Sequence, residues 1–145
     1  MSKLIAARTA QYPLAAEFEF NFDDTMKNTS GAEVDFGKTN TAATVFEVIN
    51  VPEGAVIVGG EVVTDVAFDA ATYTVAVGDA AVADRYLAAT DKKGVGRTAL
   101  VPTGFRTEGR NVRVTVTAAD ACTTGKATVR IQYVLKDRAQ EVCTA

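Results

Sequence analysis

Residues 44–77 read TVFEVINVPEGAVIVGGEVVTDVAFDAATYTVAV. Three apolar runs, 45–51, 55–68 and 72–77, are punctuated by Pro52-Glu53-Gly54, Gly59-Gly60 and Asp69-Ala70-Ala71. The runs are rich in Val and Phe and alternate over long parts of their length. That is the pattern of strands meeting at tight turns. A Gly pair inside such a run points to a bulge or bend in a long strand, because Gly tolerates positive φ. From Glu61 the alternation is clean: Val62, Thr64, Val66 and Phe68 share one side. Tyr73, Val75 and Val77 share a face in the third run, and the two strands around Asp69-Ala70-Ala71 are predicted to form a hairpin.

The same period-2 pattern recurs outward from this stretch. Residues 14–22, LAAEFEFNF, put Phe18, Phe20 and Phe22 on one side and Glu17, Glu19 and Asn21 on the other. The three aromatics read as core, with a sticky interface as the alternative. Residues 111–118 alternate Val112, Val114 and Val116 with Arg113, Thr115 and Thr117. Residues 126–136 alternate Ala127, Val129, Ile131, Tyr133 and Leu135 with polar partners. The turn at 120–125 makes these two strands a predicted hairpin. Residues 97–103 form a further strand, with Pro102 at an edge or strand end.

Two segments resist this pattern. Residues 25–41 are polar and read as a long connection, with room for a short strand at 32–36. Residues 78–96 can hold a short helix over 81–89 capped by Asp79, or a loop leading to a strand near 86–88, followed by a solvated turn at Lys92-Lys93-Gly94. The sum is an all-β chain of about eight strands with little helix, an antiparallel β-sandwich for which a jelly roll is the first choice. The domain division is an arm at 1–13, a sandwich at 14–136 and a tail at 137–145.

Composition narrows the chemistry. The chain has 145 residues and no histidine. That removes the Ser-His-Asp triad, the Cys-His pair and every His-ligated metal site. Cys122 and Cys143 lack metal-site spacing; they read as two thiols, with a bridge across them as the alternative. Net charge is −3, which argues against a broad nucleic-acid-binding face. No apolar segment approaches a signal peptide or a bilayer span. Residues 1–70 hold four basic and eleven acidic residues, and 71–145 hold eleven basic and seven acidic. Opposite-sign faces would suit contacts between neighbours in an assembly; the alternative is that strands from the two halves interleave and mix the charges.

No constellation favours an enzyme. Glu61, Asp65 and Asp69 fall on one side of a strand, but roughly 13 Å separates successive members, too far for a carboxylate pair or a single metal ion. Asp23-Asp24 beside Asn21 lacks the calcium-loop pattern. Gly94-Val95-Gly96 has no phosphate-binding Lys and Ser after it. The most basic cluster is TGFRTEGRNVR at 103–113, with Arg106, Arg110 and Arg113 around Phe105. It reads as a solvated loop or one that grips an acidic protein surface. Lys3 and Arg8, in an arm without acids, are the other partner-binding candidates. No cofactor or metal is expected.

The order of segments adds a functional expectation. VFEVINVPEGAVIVGGEVVTDVAFD at 45–69 is followed by YTVAVGD at 73–79, ADRYLAA at 83–89, GRTALVPTG at 96–104, NVRVTVTA at 111–118 and TGKATVRIQYVL at 124–135. This series resembles the small decoration, or cement, proteins of tailed-bacteriophage capsids. The resemblance rests on segment order and texture over 44–135. It implies a jelly-roll sandwich on the outside of an icosahedral shell, made in the host cytoplasm, with the major capsid protein as partner and self-association as a dimer or trimer. It implies no catalytic residues, no membrane and no direct contact with nucleic acid. The competing reading is a carbohydrate- or receptor-binding sandwich on the virion surface, against which the absence of Trp counts.

Overall fold

The computed structural model describes residues 7–9, 13–135 and 140–142. Eight strands make two four-stranded antiparallel sheets. One sheet runs β2 (Leu14–Asn21), β11 (Lys126–Leu135), β6 (Ala55–Val66), β9 (Gly96–Ala99). The other runs β5 (Thr44–Ile49), β10 (Val112–Ala118), β7 (Tyr73–Gly78), β8 (Leu87–Asp91). The hydrogen-bonded pairs nest: β7 with β8, β6 with β9, β5 with β10 and β2 with β11. A ribbon of paired strands folded over in this way is a jelly roll. Two short ribbons complete the fold, β3 (Thr25–Lys27) with β4 (Glu33–Asp35) and β1 (Ala7–Thr9) with β12 (Gln140–Val142). No described residue is helical, and no helix is long and apolar enough to cross a membrane.

The alternating positions face inward as their pattern requires. Phe20, Phe46, Val62, Tyr73, Val75, Val77, Val114, Val129 and Ile131 are each fully buried. The aromatics form a continuous column between the sheets: Phe20 to Phe36 at 4.6 Å, Phe36 to Phe46 at 4.1 Å and Phe68 to Tyr73 at 3.8 Å between ring centroids. Stacked pairs of this kind add roughly 0.5–1.5 kcal/mol each beyond their buried area. Phe18 and Phe22, partly buried, pack against the column.

Gly59-Gly60 lies inside β6, as expected of a bulge in a long strand. The register with β11 slips there, Ile57 facing Tyr133 and Gly59 facing Gln132. Ala55 and Ile57 point inward before the slip, Val62 and Thr64 after it, so the extra residue resets the phase of the strand. A second slip near Asp65 turns Val66 outward, 43% exposed. That corrects its expected place beside Val62 and Thr64.

Two predicted hairpins are corrected. β6 and β7 lie in opposite sheets, as do β10 and β11. Their connections are arches across the sandwich, held by Asp69 accepting from the Thr123 amide and by Asp120 accepting from the Ala71 amide. The helix allowed for 81–89 is absent; the segment is a turn leading into β8. Asp79 does accept from the Ala81 and Val82 amides, as a cap would, at 2.9 Å each. The long connection at 25–41 contains the β3–β4 ribbon, and Lys92, expected in a solvated turn, is buried with its ammonium donating to Thr98 Oγ1 at 2.7 Å.

Candidate interaction surface

Nesting sends alternate connections to opposite ends of the sandwich. The β5–β6, β7–β8 and β9–β10 connections share one end. The Thr107 amide donates to the Ala55 carbonyl at 2.7 Å, and the Val101 amide donates to the Tyr86 carbonyl at 2.8 Å. Asn111 Oδ1 accepts from the Val51 amide at 3.0 Å. The start of β2 and the end of β11 reach this same end, since Leu14 pairs with Tyr133 and Leu135 with Ala55. The arginine loop therefore sits at the end from which the β1–β12 ribbon departs.

The predicted arginines do not converge on one point. Arg113 is committed to Glu47, 3.1 Å from its carboxylate, with Asn111 donating to the same group. These hydrogen bonds, Asn111's first and Arg113's next, hold the Glu47 carboxyl below its ordinary range against the opposing pull of burial. Arg110 pairs with Glu108 at 3.0 Å. Arg106 is exposed and donates to the Gly54 carbonyl at 3.1 Å. Arg8 belongs to β1, in register with Glu141; Lys3 lies outside the described residues. Composition missed Arg85. Its guanidinium lies 3.6 Å from the Phe105 ring centroid and 2.6 Å from Asp79, and joins the β7–β8 loop to the arginine loop. Burial raises the Asp79 carboxyl, but the Val82, Arg85 and Ala81 donors outweigh it and leave it lowered. Exposed Val82 and Val101 lie on the same end.

The charge split along the sequence does not become a split in space. Acids of the first half pair with bases of the second: Arg97 with Glu61, Arg130 with Glu17 and Glu61, Lys126 with Glu19, Arg113 with Glu47. Strands from both halves alternate in the β2-β11-β6-β9 sheet, so its outer face is an ion-pair mosaic. The mixed-charge alternative is the correct one.

The remaining chemistry is occupied by structure. The cleft beside Gly60, of about 110 Å³, is lined by the Glu61, Arg97 and Arg130 ion pairs. Asp24 accepts from the Asn21 amide at 2.7 Å, closing a turn. Among the described residues no three His, Cys, Asp or Glu side chains gather as a metal site would require. Cys122 is buried, and that burial pushes its thiol up. Cys143 lies outside the described residues, so the bridge alternative does too.

These features define a jelly-roll sandwich with one loop-rich, arginine-bearing end and a terminal strand ribbon leaving it. Similar chains occur in three solved phage structures. One, in the acidic stable capsid of Helicobacter pylori bacteriophage KHP30, has a TM-score of 0.66 at 18% identity over 98% of this chain and 100% of that one. A chain of the cyanophage Pam1 capsid asymmetric unit has 0.59 at 21% over 92% and 94%. A chain in the capsid of Ralstonia phage GP4 has 0.56 at 16% over 93% and 91%. At these identities the likeness is one of fold, and it extends over almost the whole of each chain. No protein-family model and no curated protein matches the sequence.

Proposed function

We propose that this chain is a structural protein of a phage virion, a decoration protein that binds the outside of the icosahedral shell and stabilises contacts between capsomers. The observation that carries the reading is the end-to-end match with chains of about the same length in three phage capsids. The bottom-up features support it. The charged side chains at the loop-rich end serve ion pairs and backbone contacts, which builds a rigid block rather than a reaction site. The protein acts without catalysis.

Its partner is the major capsid protein, and copies associate with one another as dimers or trimers. Arg8, Arg106 and Arg110 meet the shell, Lys3 serves the contact between copies, and Arg113 braces the loop through Glu47. Stable protein interfaces bury about 1,000 Å² or more, so a cement protein needs several segments in contact at once. Residues 1–13, 26–41, 78–96 and 103–110 are those segments.

The test is purification of intact heads and measurement of this chain against the capsid protein. A fixed stoichiometric ratio that survives salt washing is expected; a chain that elutes free of heads refutes the proposal. Removal of residues 1–13 is expected to lower occupancy, and unchanged occupancy would sink their role.

A further inference from the structure

We propose that the open edge of β2 receives residues 1–6 of a second copy of this chain, so that copies are joined by an exchanged strand. The inference rests on the self-association in the reading above but not on the shell.

β2 is the longest edge strand of the sandwich, eight residues against four, five and six for β9, β8 and β5. The other edges are broken or blunted. β8 meets β7 with a register slip, and the Val45 carbonyl of β5 accepts from the Thr29 amide. On β2 the Phe22 amide donates to Gly125, so even-numbered positions face β11. The odd ones face outward. Asn21 is satisfied there, its amide by Asp24 Oδ2 and its carbonyl by the Asp24 amide. The backbone groups of Ala15, Glu17 and Glu19 have no partner among the described residues. A row of free amides and carbonyls is a template for another strand.

The flanks of this edge are shaped for alternating side chains. On the inner side a cleft of about 420 Å³ opens between β2 and β3, lined in part by Phe18, Met26 and Phe36. On the outer side a hollow of about 230 Å³ lies over Ala15, Ala16, Glu17 and Arg130. An added strand therefore needs an apolar residue inward and a basic or neutral one outward. β2 does not fit itself, because antiparallel pairing of two copies sets Glu17 against Glu17 or Glu19, and like charges directly opposed repel.

Residues 1–6, MSKLIA, contain no acid. An antiparallel register with Leu4 opposite Phe18 places Leu4 over the inner cleft and Lys3 opposite Glu19. Ala6 then meets Ala16, where space is small. Six extended residues span about 20 Å, and in this register they run along β2 from Ala16 to Asn21, past the free backbone groups of Glu17 and Glu19. In its own chain, the adjoining segment 7–9 pairs with β12 and not with β2. Reciprocal exchange closes a dimer and cyclic exchange a trimer.

Sedimentation of the full chain tests this. The intact protein is expected to be a dimer or trimer, and deletion of residues 1–6 to give a folded monomer with an unchanged circular-dichroism spectrum. Lys3→Glu is expected to weaken association about fivefold, as is Glu19→Lys, and the double variant to recover it. A monomeric intact chain overturns the proposal, including the case where residues 1–6 fold onto β2 of their own chain. So does an oligomer indifferent to the deletion, or failure of the double variant to recover association. Oligomers that do not bind heads would count against the virion reading alone.

Discussion

Asp35 shows how a single side chain holds the loop beneath the aromatic column. It is buried and accepts from the Gly37 amide at 3.0 Å, the Thr39 amide at 2.9 Å and the Asn40 amide at 3.0 Å, with Thr39 Oγ1 as a fourth donor. This turn carries Phe36 inward, where its carbonyl accepts from the Tyr73 hydroxyl. Burial raises the Asp35 carboxyl, but the donors from Thr39, Asn40 and Gly37 outweigh it and bring it to about 2. The folded value lies below the unfolded one, so the unfolded chain binds the proton more readily. The stabilisation, about 2 kcal/mol, is therefore complete above about pH 4 and disappears as pH falls towards 2. Denaturant titrations between pH 7 and 2 should show D35N less stable at pH 7 by about that amount, with the difference closing at low pH. A constant gap would show that shape, not charge, is what Asp35 supplies. Lys92 is the opposite case among residues, a buried cation whose desolvation lowers its amine while Asp91 draws it back up. Nothing in the local sequence DKKG distinguishes it from its solvated neighbour Lys93. Its burial comes from Thr98, six residues away, through a contact that only the sandwich creates.

Elements were legible where burial is one-sided, and pairing was not. β2, β10 and β11 show period-2 alternation because one face meets the core and the other is more open to water, while β7 keeps the pattern in side-chain size although Ala76 and Gly78 are buried too. Arches and hairpins, in contrast, carry the same short polar turns. The segment around Asp69 gives no local sign that Tyr73 enters the opposite sheet, since that choice depends on β10 arriving forty residues later. β6 was legible even in its irregularity, because Gly59-Gly60 marks the slip. Gly60 has φ of +153°, and a Cβ there would lie 2.4 Å from the Arg130 carbonyl oxygen and 2.8 Å from Leu100 Cδ1. The Arg130 carbonyl is β11 backbone and cannot yield cheaply, whereas Leu100, just past β9, meets the site only through the end of its side chain. G60A is expected to cost about 2–4 kcal/mol, whereas G94A, with nothing within 4 Å, should stay within about 0.5 kcal/mol. Thermal melts of the two variants measure this; similar losses in both would mean the bulge needs no glycine. The candidate surface was legible as the cluster of Arg106, Arg110 and Arg113 around Phe105. Its anchor, Arg85, was hidden inside a segment with no clear period.

At the scale of the molecule, nesting controls both charge and folding. The innermost pair, β7 with β8, joins Thr74 to Asp91, and the outermost, β2 with β11, joins residues 113 apart, Glu17 to Arg130. Arg97–Glu61 and Arg113–Glu47 already join the acidic first half to the basic second half within the inner pairs, and closure of the outer pair adds Glu17–Arg130 and Glu19–Lys126 to complete the lacing. Loop-closure entropy makes the inner contacts cheap and the outer ones late. We therefore expect folding in milliseconds to seconds, with a transition state organised around β7, β8 and β10. V75A, on β7 and fully buried, should slow refolding by most of its effect on stability. V129A, on β11 and equally buried, should act mainly by speeding unfolding. Stopped-flow tyrosine fluorescence can follow both, because the chain has four Tyr and no Trp. If V129A slows refolding as much as V75A does, the outer pair is already formed at the barrier. Nucleation from the inner hairpin is then wrong, and the opposite charges of the two halves, drawing distant strands together early, become the better account.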